Sequence, residues 1–117
     1  MTPEIEVLLF PQREISSGRR LDRIAYWIAS IKDARTVGVI RARLNRIRLG
    51  NFGDCKPVGG GVQELRIDFG PGYRAYFGRK GSAVVVLLCR GDKSTQAKDI
   101  LIAQKYWKEY LNAEPAH

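Results

Sequence analysis

Histidine is almost absent from this chain: the one example, His117, is the last of 117 residues. Paired histidines, the commonest acid–base couple, are therefore excluded, and so is a histidine-rich zinc centre. Cysteine is scarce too. Cys55 and Cys89 stand alone, with no CxxC spacing to make a metal knuckle. A disulfide between them stays open at this level, although two isolated cysteines in a basic chain fit ordinary cytosolic thiols. No metal and no cofactor is expected. Long apolar runs are missing. The longest, residues 83–89, is far too short to cross a membrane. No basic segment leading into an apolar stretch marks a signal peptide, so the expected setting is cytoplasmic, with no membrane partner. Repeats, low-complexity tracts and Pro/Ser-rich linkers are also missing, and residues 1–117 read as a single domain.

Acidic residues are the other shortage. Twelve Asp and Glu face twenty Lys and Arg, giving a net charge of +8. The imbalance is concentrated between Arg13 and Arg48, where ten basic residues meet three acidic ones. Such a field favours a polyanion or an acidic protein as partner. Arginine is suited to it, because its planar fork grips phosphate through two parallel hydrogen bonds. The plain alternative is a solvated basic face. With 44% hydrophobic and 27% charged residues, the composition belongs to a folded domain.

Periodicity supplies the expected elements. Residues 4–10 are apolar and partly β-branched between Pro3 and Pro11, which predicts an edge strand. Leu21, Ile24, Ile28 and Ile31 repeat at helical spacing. So do Val37, Ile40, Leu44 and Ile47, after a cap at Asp33 and before a stop at Leu49-Gly50-Asn51. The two helices are expected to form a hairpin packed on the sheet, with Arg41, Arg43, Arg46 and Arg48 off the apolar stripe. Residues 50–61 are glycine-rich and read as a flexible connector. They carry neither a Walker loop nor a dinucleotide fingerprint.

Leu65, Ile67 and Phe69 alternate with Glu64, Arg66 and Asp68. After the turn Gly70-Pro71-Gly72, Tyr73, Ala75 and Phe77 alternate with Arg74 and Tyr76. A three-residue hairpin loop would pair Asp68 with Arg74 and Arg66 with Tyr76, with all four on one polar face. Residues 82–89 are continuously apolar, as in a central strand covered on both sides. Past Gly91-Asp92, Ile100, Ala103, Trp107 and Tyr110 define a last helix. The expected fold class is α+β. It comprises an N-terminal strand, a helical hairpin on one face, a three-stranded antiparallel meander and a C-terminal helix.

The stretches Gly50-Asn51-Phe52-Gly53-Asp54, Glu64-Leu65-Arg66, Gly70-Pro71-Gly72-Tyr73-Arg74 and the run from Gly91-Asp92-Lys93 through Gln96 to Asp99-Ile100 resemble the RelE/ParE superfamily of type II toxins. The nearer likeness is to its HigB-like branch, the "addiction module killer proteins". It extends over nearly the whole chain. It implies a small RelE-like domain, a toxin neutralised by a cognate antitoxin encoded next door in a hetero-oligomer. RelE and HigB members are mRNA endoribonucleases (mRNA interferases) that block translation, usually on the ribosome. ParE members instead inhibit DNA gyrase without catalysis, which leaves a second reading open. A binding protein that has lost toxicity is a third.

By position in those motifs, the resemblance makes Arg74 a phosphate contact. It places Lys56 and Lys93 among the basic residues around the scissile phosphate. The tyrosine of RelE on the last helix falls near Asp99 here, and the C-terminal histidine region of some HigB nucleases has no counterpart.

The residues themselves allow a metal-independent cleavage site. RNA cleavage needs a base for the 2′-hydroxyl, charge stabilisation at the phosphorane and an acid for the 5′-oxygen. Arg66 and Arg74 suit charge stabilisation. Glu64 is a candidate base, with Lys56 or Lys93 as alternatives, and Tyr76 a candidate platform for an unstacked base. Arg41, Arg46 and Arg48 are candidate RNA contacts. Each has a plainer role. Asp68 and Arg74 could be a simple cross-strand ion pair, Glu64 could pair with a helix arginine, and Gln96 and Asp99 could cap the last helix or tie it to the sheet.

Overall fold

The computed structural model describes residues 5–10, 31–70, 72–82 and 84–113. Five strands form one mixed sheet: β1 (Glu6–Leu9), β2 (Cys55–Gly59), β3 (Val62–Ile67), β4 (Tyr73–Lys80) and β5 (Val84–Asp92). Their spatial order is β1-β5-β4-β3-β2. β1 lies parallel to β5, and every other neighbour is antiparallel. Two helices complete the described fold, α1 (Ala34–Arg48) and α2 (Gln96–Ala113), the latter entered through a 3-10 turn at Lys93–Thr95. The architecture is α+β, as the alternating patterns predict. The expected helix over Leu21, Ile24 and Ile28 lies outside the described residues. So does any hairpin it would make with α1.

α1 starts and stops where its sequence says. The Asp33 side chain accepts from the Arg35 amide at 3.1 Å and the Thr36 hydroxyl at 2.8 Å, satisfying donors the first turn leaves open. At the other end Gly50 takes φ 89°, a left-handed conformation that costs glycine little. Its amide donates to the Ile47 carbonyl and the Asn51 amide to that of Arg46, a Schellman closure. α2 is introduced by a capping box. The Asp92 side chain accepts from the Ser94 amide, and the Thr95 hydroxyl from the Asp92 amide.

The helices cover opposite faces of the sheet. Ile40, Leu44 and Ile47 of α1 pack on Leu65, Ile67, Ala75, Phe77, Val85 and Leu87. Ala103 and Trp107 of α2 pack on Val62, Tyr76, Val86 and Leu88. The expectation that the helices share one face is thereby corrected. β5 alternates between two cores, which is why residues 84–88 are apolar without a break. At Gly78 the indole of Trp107 lies so close that a Cβ would overlap it.

Two further expectations change. Residues 55–59 are a strand and not a connector, so the meander has four antiparallel strands instead of three. Pro57 fits there because β2 is an edge strand. The turn at Gly59-Gly60-Gly61 runs through three positive φ angles of 96°, 62° and 82°. The β3–β4 hairpin also pairs differently. Its last pair is Ile67↔Tyr73, which puts Arg66 opposite Arg74 and Glu64 opposite Tyr76. Asp68 lies beyond the ladder, so it does not form the cross-strand pair with Arg74. Among the described residues no helix is long and apolar enough to cross a membrane.

Candidate phosphate-binding site

Side chains on a strand alternate between faces, and the sheet register gathers the polar ones into two rows beneath the start of α2. The first row runs Lys56, Glu64, Tyr76, Cys89 across β2, β3, β4 and β5. The second runs Arg66, Arg74, Gly91 across β3, β4 and β5. Gly91 carries no side chain because the Asp99 carboxylate and Thr95 hydroxyl occupy that space.

Glu64 is at the centre and is fully buried. Its Oε2 accepts from the Tyr76 hydroxyl at 3.1 Å and from Nε2 of Gln96 at 2.7 Å. Arg66 Nε lies 3.6 Å from Oε1, and Arg74 Nε lies 3.7 Å from Oε2. These are ion pairs longer than hydrogen bonds. Among the described residues Oε1 and the two arginine Nε atoms are buried without a hydrogen-bond partner. Buried polar groups in folded interiors are as a rule hydrogen-bonded to protein or to ordered water. Arg74 also donates from Nη1 to the Gly72 carbonyl at 2.8 Å. Asp54, on the exposed rim, has Oδ1 3.9 Å from Arg66 Nε.

Lys56 and Lys93 are exposed on either side of this group. Lys56 stands opposite Glu64 on the edge strand. A Cβ built at Gly72 would lie 3.2 Å from Arg74 Nη1 and 3.7 Å from the Lys93 Cβ, so these two residues flank the same glycine. Lys56, Arg66, Arg74 and Lys93 thus border one patch with Glu64 beneath it.

Tyr76 belongs to the cluster, but not as a stacking platform. It is fully buried on a central strand, and its ring is in the core against α2. Burial, then the neighbouring Glu64 charge and hydrogen bond, push its phenol far above the ordinary range. Among the described residues Glu64 does pair with arginines, but with two from strands and none from a helix. Covered by α2, its carboxylate faces protein and not an incoming substrate.

Arg41, Arg46 and Arg48 are not brought to this site. They lie on α1, across the sheet, with Arg41 and Arg46 exposed and Arg48 donating to the Asn45 side chain at 2.9 Å. Arg43, between them, is a structural residue. Its guanidinium donates to the carbonyls of Arg66 at 2.6 Å and Phe52 at 3.3 Å, tying β3 and the loop before β2 to α1.

Gln96 is the cluster member whose role the sequence left unresolved, and it ties α2 to the sheet. The available signal is its position. A residue one turn after a central strand must return over the neighbouring strands. Asp99 instead accepts from the Thr95 hydroxyl within the first turn of α2.

Both cysteines are free, Cys55 packed on the α1 side and Cys89 on the α2 side. A disulfide between them is therefore not formed. Burial, then the Asp99 charge, pushes the Cys89 thiol up to about 11, and burial raises that of Cys55 as well. Among the described residues no three His, Cys, Asp or Glu side chains gather as a metal site would require.

No family model matches the chain, and no solved structure matches it. A relative does: the chain belongs to the same family as an uncharacterized protein of Haemophilus influenzae, to which it is 49% identical over 83 residues, covering 68% of this chain and 84% of that one.

Proposed function

We propose that this protein is the toxin of a type II toxin–antitoxin pair, a metal-independent mRNA endoribonuclease that cuts messages on the ribosome and so blocks translation. The observation that carries this reading is the patch formed by Lys56, Arg66, Arg74 and Lys93 around the buried Glu64 carboxylate. The amines of Lys56 and Lys93 and the guanidinium groups of Arg66 and Arg74 offer positive charge to a phosphodiester, with Asp54 and Asp99 at the margins, and that charge grows in value as the phosphate passes to a dianionic phosphorane. The resemblance of the Glu64-Leu65-Arg66 and Gly70-to-Arg74 segments to RelE- and HigB-like toxins supports the same assignment.

In this reading Arg66 and Arg74 stabilise the phosphorane. Lys56 and Lys93, the exposed amines on either side, contact the flanking backbone and are the groups able to approach the 2′-oxygen and the departing 5′-oxygen. The side chain of Glu64, turned inward, does not act as the base. With few proton-transfer groups of its own, the enzyme depends on the ribosome to align the 2′-oxygen for in-line attack. The exposed Arg41 and Arg46 of α1, on the far side of the sheet, are free to contact ribosomal RNA while the patch engages the message.

The test is a purified translation reaction with a defined message, alongside a gyrase supercoiling reaction. Ribosome-dependent cuts within the reading frame, much weaker on free RNA and lost in Lys56→Ala with Lys93→Ala, are the expected result. Intact message with blocked supercoiling would replace the reading by that of a ParE-type gyrase inhibitor.

A further inference from the structure

We infer that Glu64 is the positioning residue of the phosphate patch: its buried carboxylate holds Arg66 and Arg74 by their Nε edges and so aims both guanidinium groups at one phosphodiester. The identity of the ligand rests on the nuclease reading; the clamp itself rests on geometry.

Arg66 and Arg74 stand directly opposite each other on neighbouring strands, where their like charges repel and would splay the side chains apart. Glu64, two residues from Arg66 and on the same face, lies within 3.6 Å of one Nε and 3.7 Å of the other. Glu64 is thus the carboxylate shared by both arginines, while Asp54, 3.9 Å from Arg66 Nε, reaches Arg66 alone from the exposed rim.

The carboxylate is itself held. The Tyr76 hydroxyl and the Gln96 amide both donate to Oε2, and they come from β4 and from the first turn of α2. Sheet and helix thus fix the anchor from two directions, which is the support a preorganised charge site needs.

The Nε atoms are buried, yet the Arg66 side chain is 39% exposed. Its exposed share therefore lies elsewhere along the side chain. Arg74 is only 10% exposed and is further steadied by the Gly72 carbonyl. An arginine gripped at Nε keeps terminal N–H groups for an outside oxyanion. The unpartnered Glu64 Oε1 and the two unpartnered Nε atoms fit a clamp that tightens to hydrogen-bond distance when an anion draws the guanidinium groups together.

The test is NMR of the arginine Nε–H groups in the full chain, assigned with Arg66→Lys and Arg74→Lys, during titration with a short RNA made uncleavable by 2′-O-methylation. Two protected Nε–H signals, from Arg66 and Arg74, that shift together on RNA addition are expected. In Glu64→Gln both lose protection, and message cleavage falls roughly a hundredfold; Glu64→Asp recovers part of both. Should Glu64→Gln not fold, the wild-type titration still decides, since RNA that moves neither signal overturns the clamp. Cleavage at the wild-type rate by folded Glu64→Gln would overturn the positioning role and leave the nuclease reading standing. Joint RNA-induced shifts in a protein that cuts no message on ribosomes would do the reverse.

Discussion

The hydroxyl of Tyr76 donates to Oε2 of Glu64 across 3.1 Å, and both residues are fully buried. A carboxylate in such a place is costly unless the charges and donors around it persist together. Tyr76→Phe keeps the ring that packs under α2 and deletes one donor. It should lower unfolding free energy by about 1.5–3 kcal/mol, the range for hydrogen bonds to charged groups. Urea denaturation checks this. No change in midpoint would mean that Gln96 alone satisfies the carboxylate.

Trp107 and Gly78 make a second prediction. The indole lies against the bare backbone of β4, where a Cβ would overlap it. Gly78→Ala must push the α2 helix outward or rotate the ring, at about 1–3 kcal/mol. Tryptophan fluorescence of the variant should report a less buried Trp107, with the denaturation midpoint lowered. An unchanged spectrum and midpoint would show that the helix yields freely.

Cys89 gives a pH prediction. With its thiol at about 11 instead of 9.0, the thiolate fraction at pH 8 is roughly a hundredfold below that of an unperturbed thiol. In Cys55→Ser, alkylation of Cys89 should be slow at neutral pH and rise through an inflection near 11. An inflection near 9 would contradict the burial. The same shift has a stability consequence. A folded-state pKa above the unfolded one stabilises below the unfolded value, and that contribution is lost as pH rises through the folded value. Tyr76 acts with the same sign at higher pH. Alkaline unfolding should thus set in from about pH 9 upward.

The helix caps predict the opposite limb. Asp33 is held below the usual carboxylate range by the Thr36 hydroxyl and the Arg35 amide. Asp92 is held low by the Ser94 hydroxyl and amide. A depressed folded pKa stabilises above the unfolded value of 3.8, and the benefit is lost as pH falls through the folded value. Asparagine at both positions keeps the cap acceptor without the charge. The double variant should melt lower than the wild type near pH 6 and converge with it near pH 2. Parallel curves over that range would remove the charge from the account.

Much of this arrangement was legible in the sequence. The stripe of Ile40, Leu44 and Ile47 marked α1, that of Ala103 and Trp107 marked α2, and the unbroken run after Val84 marked the doubly covered β5. The hairpin register was not, because its loop is five residues long and not three. The resulting slip is two residues, and an even slip leaves every side chain on its own face. Arg66, Arg74 and Tyr76 therefore share a face as expected, although each has a different partner. β2 was hidden because Pro57 and Gly59 weaken a strand signal that only an edge position tolerates. The burial of Glu64 was hidden for another reason. Alternation says which face a residue takes, and whether that face is covered depends on α2, whose placement is a tertiary matter.

The central claim is that the patch over Glu64 cuts messages during translation. Primer extension on abundant messages, after induced expression in bacteria of the wild type and of Lys56→Ala with Lys93→Ala, tests it most directly. Both substitutions are at exposed positions, so the fold is retained. New 5′ ends inside translated frames with the wild type, absent with the variant, are the predicted result. Messages left intact by a wild-type protein that still arrests growth would contradict it.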